Sequence, residues 1–345
     1  MSPETGLRVV VTGATGNCGT SVVRALGSDP RIGSVLGLAR RVPEMTAPKT
    51  TWVPVDLARG ADEGRLHELF TGADAVVHLA WRFQPTHDPV MTWETNVLGS
   101  LRVFETVAAA GVPALVHASS VGAYAPGPKT GQGVDESWPT HGWPDAAYCR
   151  EKAYLERVLD AYELHHPEIR VVRMRPGFLF KEGSASEQRR IFAGRLLPGP
   201  LVRPALLPVV PALEGLRFQV LHTDDAAQAY RLAVLRDVRG AFNLAADPAV
   251  DAVVLGELLQ AKVVRLPQQA VRTALSAAWR LHLVPASPHL FDAVLRLPLL
   301  DTTRARSELD WRPAWSATEA IEEFLRGVRK GSGEPTPPLV GHKVG

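Results

Sequence analysis

The sequence predicts an α/β fold: a doubly wound parallel sheet with helices on both faces and a smaller C-terminal substrate lobe. Two features of its first half lead there. Short apolar runs alternate with longer amphipathic stretches, and a glycine-rich turn sits directly between the first run and the first such stretch. Strands are expected at residues 7–11, 35–39, 51–55, 75–79, 114–118 and 170–174, each rich in Val, Leu, Ala or Ile and closed by a turn or polar cluster. Helices are expected at 18–27, 90–110 and 146–165; in the second, Val97, Leu101, Phe104, Val107 and Ala108 form a stripe at helical spacing. Beyond residue 174 the rhythm breaks. Residues 177–215 are rich in Pro, Gly, Leu and Arg, and strand and helix character returns at 219–222 and 224–235. The expected organisation is a sheet domain over 1–176 that 216–247 rejoin, a lobe within 177–330, and a Gly/Pro-rich disordered tail over 331–345.

The 345 residues suffice for a large core, and 38 basic against 36 acidic side chains leave a net charge of +2 with no basic block. Nucleic acid is therefore a poor partner. Two cysteines, Cys18 and Cys149, cannot build a disulfide framework, and no charged-then-apolar leader opens the chain, so a cytoplasmic protein is expected. The long apolar stretch at 196–213 is interrupted by Pro198, Pro200, Pro204, Pro208 and Pro211, which excludes a regular membrane-spanning helix. Eleven histidines fall into no ligand pattern, and no metal site is expected.

The run Thr12-Gly13-Ala14-Thr15-Gly16-Asn17-Cys18-Gly19 follows the first strand and opens a helix. Glycines at 13, 16 and 19 permit a tight turn, close approach of a pyrophosphate to backbone N–H groups, and close helix-to-strand packing at the positive end of the helix dipole. This is the opening of a Rossmann fold and predicts a bound dinucleotide. About 20 residues on, where the adenosine ribose is met, the chain reads Ala39-Arg40-Arg41. Two guanidinium groups suit a 2′-phosphate and favour NADP(H) over NAD(H). The alternative is that both are solvated surface charges, with Glu44 serving an NAD ribose. Asp56, in Val55-Asp56-Leu57, stands where a carboxylate accepts from the adenine amino group, or is an ordinary helix N-cap.

A second constellation joins Ser119-Ser120, after the fifth strand, to Tyr148 and Lys152, four apart on one helical face. A phenol titrates near pH ~10 in water, too high for proton transfer at neutral pH. A lysine ammonium beside it favours the phenolate, so the pair can move a proton while a serine hydroxyl holds the reacting oxygen.

With these motifs the sequence resembles the extended short-chain dehydrogenase/reductase family, also labelled NAD-dependent epimerase/dehydratase, over roughly residues 7–325. The resemblance implies cofactor contacts from the loop residues Gly13, Thr15, Gly16, Asn17, Cys18 and Gly19, and from Arg40, Arg41, Asp56 and Leu57. It adds Leu79 and Ala80 of His78-Leu79-Ala80, Pro176 of Arg175-Pro176-Gly177, and Tyr148 and Lys152. It matches Ser120 of Ser119-Ser120-Val121-Gly122-Ala123-Tyr124 to the catalytic hydroxyl, and Asn96 of Asn96-Val97-Leu98-Gly99 to the relay's supporting asparagine. His222-Thr223-Asp224-Asp225 and Leu309-Asp310-Trp311-Arg312-Pro313 match later family segments. Two positions depart from sugar-nucleotide members: Gly177-Phe178-Leu179-Phe180 lacks the diphosphate-binding asparagine, and Phe218 replaces an arginine, with Arg217 one residue out of register.

Substrate contacts are expected from Ser120, Trp81, Trp138, Trp143 and Phe178, the bland alternative being that these aromatics pack the lobe's core. The expectation is an NADP(H)-dependent oxidoreductase acting on a carbonyl or alcohol of a small, fairly apolar molecule. Its rivals are a redox-neutral sugar-nucleotide epimerase or dehydratase and a non-catalytic NADP-sensing regulator. The resemblance also implies a homodimer.

Overall fold

The computed structural model of the chain describes residues 6–58, 63–192, 194 and 209–341. The first half runs β1 (Leu7–Thr12), α1 (Asn17–Gly27), β2 (Ile32–Ala39), β3 (Thr50–Pro54), α2 (Glu63–Phe70) and β4 (Ala75–His78). It continues with α3 (Pro89–Trp93), α4 (Gly99–Ala109), β5 (Ala114–Ala118), α5 (Ala147–His165) and β6 (Arg170–Pro176). The expected single helix over 90–110 is broken: between α3 and α4, Glu94–Leu98 winds as a π-helical turn. Such turns re-aim side chains inside helices, and this one carries Asn96.

Then follow β7 (Phe178–Phe180), α6 (Ala185–Phe192), β8 (Val209–Ala212), β9 (Arg217–His222), α7 (Thr223–Leu235), β10 (Gly240–Leu244) and β11 (Ala246–Asp251). The chain closes with α8 (Ala252–Leu259), β12 (Lys262–Arg265), α9 (Gln268–Arg280), α10 (Pro288–Val294), α11 (Thr303–Glu308) and α12 (Ala317–Lys330).

Seven strands form one parallel sheet in the order β3-β2-β1-β4-β5-β6-β10. Strand order reverses at β1/β4, which opens a crevice beyond the carboxyl ends of those strands, where open α/β sheets bind ligands. Alternation along the strands divides the core. Val9 and Val11 join α1 and α7 on one face, while Val10 joins Leu66, Phe104, Leu155 and Leu159 of α2, α4 and α5 on the other.

The smaller lobe contains a three-stranded sheet, β11-β9-β7, and the parallel pair β12-β8. Of residues 216–247, α7 and β10 return to the main domain, whereas β9 pairs with β7 and β11 in the small sheet. Of the apolar stretch at 196–213, residues 196–208 lie outside the described residues.

The expected disordered tail is corrected over 331–341. Gly331 closes α12 in the left-handed conformation, and Glu334 then ion-pairs with Lys181 at 2.7 Å and Arg24 at 2.5 Å. Thr336 Oγ1 donates to the Thr15 carbonyl at 2.9 Å, and Leu339 is fully buried. Its glycines and prolines supply turns that fold the segment back onto the glycine loop.

Candidate active site

The glycine loop between β1 and α1 is shaped by exclusion. Gly13 has φ +67°, and a Cβ there would stand 2.6 Å from the Ala80 Cα; at Gly19 a Cβ would stand 2.2 Å from the Gly13 carbonyl oxygen. Both positions therefore require glycine for the backbone approach itself. At Gly16 a Cβ would meet only that oxygen, at 3.4 Å, so this residue faces open space. Gly16 caps α1 without any side-chain hydrogen bond, leaving the helix N-terminus open to an anion.

This loop forms one wall of a cavity of about 1050 Å³. Gly13, Thr15, Gly16, Asn17, Cys18, Gly19, Arg40, Asp56, Leu57, Leu79, Ala80 and Pro176 all line it, as do Ser120, Tyr148, Lys152, Trp81 and Phe178. Arg41, Asn96, Trp138 and Trp143 do not. The open helix end and the cradle at Gly16 fit a dinucleotide pyrophosphate. The Asn17 side chain is engaged in joining elements: its Nδ2 donates to the Leu179 carbonyl and its Oδ1 accepts from Thr223 Oγ1, each at 3.2 Å.

Helix α5 presents Tyr148, Lys152 and Glu156 at intervals of four residues. Burial pushes the Tyr148 phenol above its usual range, partly offset by a hydrogen bond with Ser120. Ser120 Oγ in turn accepts from the Gly122 N–H at 3.0 Å, and a Cβ at Gly122 would stand 2.7 Å from Tyr148 Cε1. Burial lowers the Lys152 ammonium to about 7, opposed by the carboxylates of Glu151 and Glu156. Lys152 Nζ donates to the Ala118 carbonyl at 2.6 Å and lies 3.4 Å from the centroid of the Trp81 ring. Ser120, Tyr148 and Lys152 thus converge from the end of β5 and the start of α5 beside the glycine loop, an arrangement suited to proton exchange with a bound oxygen.

Residues 9–245 match the family described as the NAD dependent epimerase/dehydratase family. The chain belongs to that family. An L-arabinose 1-dehydrogenase (NAD(P)(+)) from Haloferax volcanii is 30% identical over 192 residues, 52% of this chain and 70% of that protein. An uncharacterized protein of Mycobacterium tuberculosis is 26% identical over 94% of this chain, which spans only 30% of that relative's length. Among solved structures, a dTDP-glucose 4,6-dehydratase from Streptomyces venezuelae with NAD bound superposes with a TM-score of 0.70 at 21% identity, covering 95% of this chain and 99% of that one. At that identity the likeness shows the fold. Members of this family are NAD-dependent epimerases and dehydratases, which are enzymes.

In this family member the interior behind the site is organised around one buried carboxylate, Glu156. Glu156 accepts from Arg175 Nε at 2.9 Å, Arg175 Nη2 at 2.8 Å and Ser119 Oγ at 2.5 Å. Burial opposes its ionisation, but Arg175, Arg173 and Ser119 outweigh burial and hold the carboxyl at about 2. Asn96 clamps the backbone of Arg82, accepting from its N–H at 2.7 Å and donating to its carbonyl at 2.9 Å, and also donates to Glu151 at 2.7 Å. Asn96 therefore acts on the cavity through the 81–84 segment and through α5, without touching the cavity.

Two expected substrate contacts are corrected. The loop carrying Trp138 and Trp143 bonds to residues 296–301, with Gly127 N–H to the Arg296 carbonyl at 3.1 Å and Val134 N–H to the Leu299 carbonyl at 2.7 Å. Trp138 is left half-exposed with its indole N–H on the Ala125 carbonyl, and Trp143 packs with Ala146, Cys149 and Ala293 beneath Arg296. Arg41 is exposed outside the cavity.

Other side chains take their place. Phe83 stacks on Tyr148 with centroids 4.5 Å apart, and Phe192 meets Phe83 edge-on at 5.5 Å. Phe218, Leu275, Leu290, Phe291 and Val294 extend the apolar lining, into which Glu187 adds a carboxyl that burial raises to about 7. Arg82 also lines the cavity. Only the position of 81–84 just after His78-Leu79-Ala80 offered a sequence signal for Phe83 and Arg82; the others come from the lobe, where no periodicity marks a cavity wall.

No group of three or more potential metal ligands occurs among the described residues, and no described helix is long and apolar enough to cross a membrane. Burial raises the Cys18 thiol to about 12 and the Cys149 thiol to about 11, which makes both poor nucleophiles.

Proposed function

We propose that this chain is an NADP(H)-dependent oxidoreductase that interconverts a carbonyl and an alcohol on a small, apolar molecule. The observation that carries the reading is the meeting of Ser120, Tyr148 and Lys152 at the junction of the glycine-loop wall and an aromatic, largely apolar half of one cavity. A nicotinamide bound there supplies or accepts the hydride. Gly16 and the open end of α1 hold its pyrophosphate, Arg40 serves a 2′-phosphate, and Asp56, Leu57, Leu79, Ala80 and Pro176 line its path.

In the reductive direction the substrate carbonyl oxygen accepts hydrogen bonds from Ser120 and Tyr148. As the carbonyl carbon gains the hydride, the oxygen, still bonded to that carbon, takes the phenolic proton and becomes the alcohol hydroxyl. Lys152 lowers the cost of the resulting phenolate by its positive charge, and Trp81 stabilises that charge against burial. The phenolate is then reprotonated from water, and oxidation of the alcohol reverses these steps.

Membership of a family described as epimerase/dehydratase favours redox-neutral chemistry as the second reading. Against it, the two positions where sugar-nucleotide binding would be sought carry Phe178 and Phe218, packed edge-to-face with centroids 5.2 Å apart. Those rings offer nothing to a diphosphate. A homodimer is supported by exposed Val90, Met91, Leu98 and Tyr154 on the outer face of α3, the π-helical turn and α5. The free thiols Cys18 and Cys149 suit work in the cytoplasm.

The test is a panel of aliphatic and aromatic ketones and aldehydes with NADPH, following loss of reduced-nicotinamide absorbance. Turnover of at least one apolar carbonyl by the native chain and none by Tyr148→Phe is expected. Conversion of a nucleotide sugar without net change in absorbance would replace this reading with the second, and tight NADPH binding with no turnover of any substrate would favour a sensor.

A further inference from the structure

Arg40 follows the carboxyl end of β2, and Arg82 lies just beyond the carboxyl end of β4. Both strands pair with β1, one on each side, so the two arginines flank the glycine loop at the same edge of the sheet. Both line the cavity. Arg40 makes no hydrogen bond or ion pair among the described residues. Arg82 donates from Nε to the Gln84 carbonyl at 3.0 Å, and its two terminal nitrogens make no hydrogen bond among the described residues. Its backbone is gripped on both sides by Asn96. A flexible surface arginine does not require such an anchor.

Two guanidinium groups facing one cavity repel each other, and the charge balance at this spot is positive. Burial, followed by the like charge of Arg82, lowers the Arg40 pKa; Asp56 works in the opposite direction and Arg41 adds to the repulsion. An arrangement that is unfavourable in the empty protein becomes favourable when a dianion enters between the cations. A phosphate monoester has that charge and offers oxygens for both forks.

We propose that Arg82 is a second, independent arm of the 2′-phosphate site, contributed by the segment after β4 and facing Arg40 across the mouth of the crevice. This rests on reading Arg40 as a 2′-phosphate ligand and adds a specificity-determining residue that the Ala39-Arg40-Arg41 motif does not contain. The Asn96 clamp becomes part of cofactor selection, because it fixes the backbone from which Arg82 projects.

The experiment measures dissociation constants of NADPH and NADH, by nicotinamide fluorescence at fixed salt, for the native chain, Arg40→Gln, Arg82→Gln and Arg82→Lys. Because Arg82→Gln leaves the glycine loop untouched, NADH affinity reports whether the folded site survives. Expected is a loss of about tenfold or more in NADPH affinity for Arg82→Gln, NADH affinity within about twofold of native, and partial recovery in Arg82→Lys. The competitors 2′,5′-ADP and 5′-ADP, which carry no nicotinamide, should reproduce the difference. Equal losses for NADPH and NADH would overturn the proposal by moving Arg82 to the pyrophosphate. A native preference for NADPH that falls in Arg40→Gln but persists in Arg82→Gln would overturn it while leaving the reading of Arg40 intact. A native chain without preference would overturn both.

Discussion

The Lys152 ammonium lies 3.4 Å from the centroid of the Trp81 indole ring, and the same ring meets Tyr148 edge-on at 5.7 Å. One side chain thus touches both members of the pair proposed to move the proton. Burial pushes Lys152 from its ordinary 10.5 down to about 7. Its folded pKa lies below its unfolded one, so between those values the unfolded chain binds more protons, and stability rises with pH across that window. Replacing Lys152 by Met removes this dependence. The stability of Lys152→Met relative to the native chain should be greatest near pH 7 and decline toward pH 10.5, read from urea midpoints along a pH series; a difference independent of pH would contradict the burial of the ammonium.

Tyr148→Phe removes the phenolic proton while keeping the ring on which Phe83 stacks. Loss of a positioned acid or base typically costs about 10²–10⁴ in rate. Turnover should therefore fall by that amount with NADPH affinity nearly unchanged. Parallel loss of cofactor binding would mean that the phenol holds the cofactor rather than the proton.

Glu156 ion-pairs with Arg175, and shares Arg173 with Asp160 and Glu163, in the interior beneath the site. Truncating one partner of a buried pair leaves the other charge without compensation and costs about 3–5 kcal/mol. Glu156→Ala should lose stability on that scale in chemical denaturation. Because the carboxyl is held at about 2, below its usual 4.5, its contribution is present above pH 4.5 and disappears as pH falls toward 2. The gap between the native chain and Glu156→Ala should close over that acid range.

The glycine loop separates folding from binding. At Gly19 an added Cβ collides with backbone at 2.2 Å, whereas at Gly16 it stands 3.4 Å from one carbonyl oxygen and otherwise enters the cavity. Gly19→Ala should lower the unfolding midpoint markedly. Gly16→Ala should keep it close to native and lose about tenfold or more in NADPH affinity. Calorimetric unfolding with parallel cofactor titration distinguishes the two, and a Gly16→Ala protein that binds normally would remove the pyrophosphate from this loop.

The glycine loop, the parallel sheet and the Tyr148/Lys152 pair were legible because each is local: a β-rich run, a turn that tolerates only glycine, and two side chains one helical turn apart. The wall opposite them was not. Phe83, Phe192 and Phe291 line one cavity only after the lobe folds over the sheet, and no spacing in the chain encodes that arrangement. Trp138 and Trp143 illustrate the reverse error, since closeness in sequence to Ser120 and Tyr148 gave way to the hydrogen bonds that draw their loop onto residues 296–301. The Gly/Pro content of 331–341 was equally compatible with disorder and with tight turns. Glu334, paired with Lys181 and Arg24, and buried Leu339 settle it as turns.

The most direct measurement is a pair of fluorescence titrations of the native protein with NADPH and NADH at identical salt. Both should exchange freely, and NADPH should bind at least about tenfold tighter, a difference of about 1.4 kcal/mol. Equal or tighter binding of NADH, or an NAD already lodged in the protein that does not exchange, would contradict an NADP(H)-dependent oxidoreductase and place redox-neutral chemistry first.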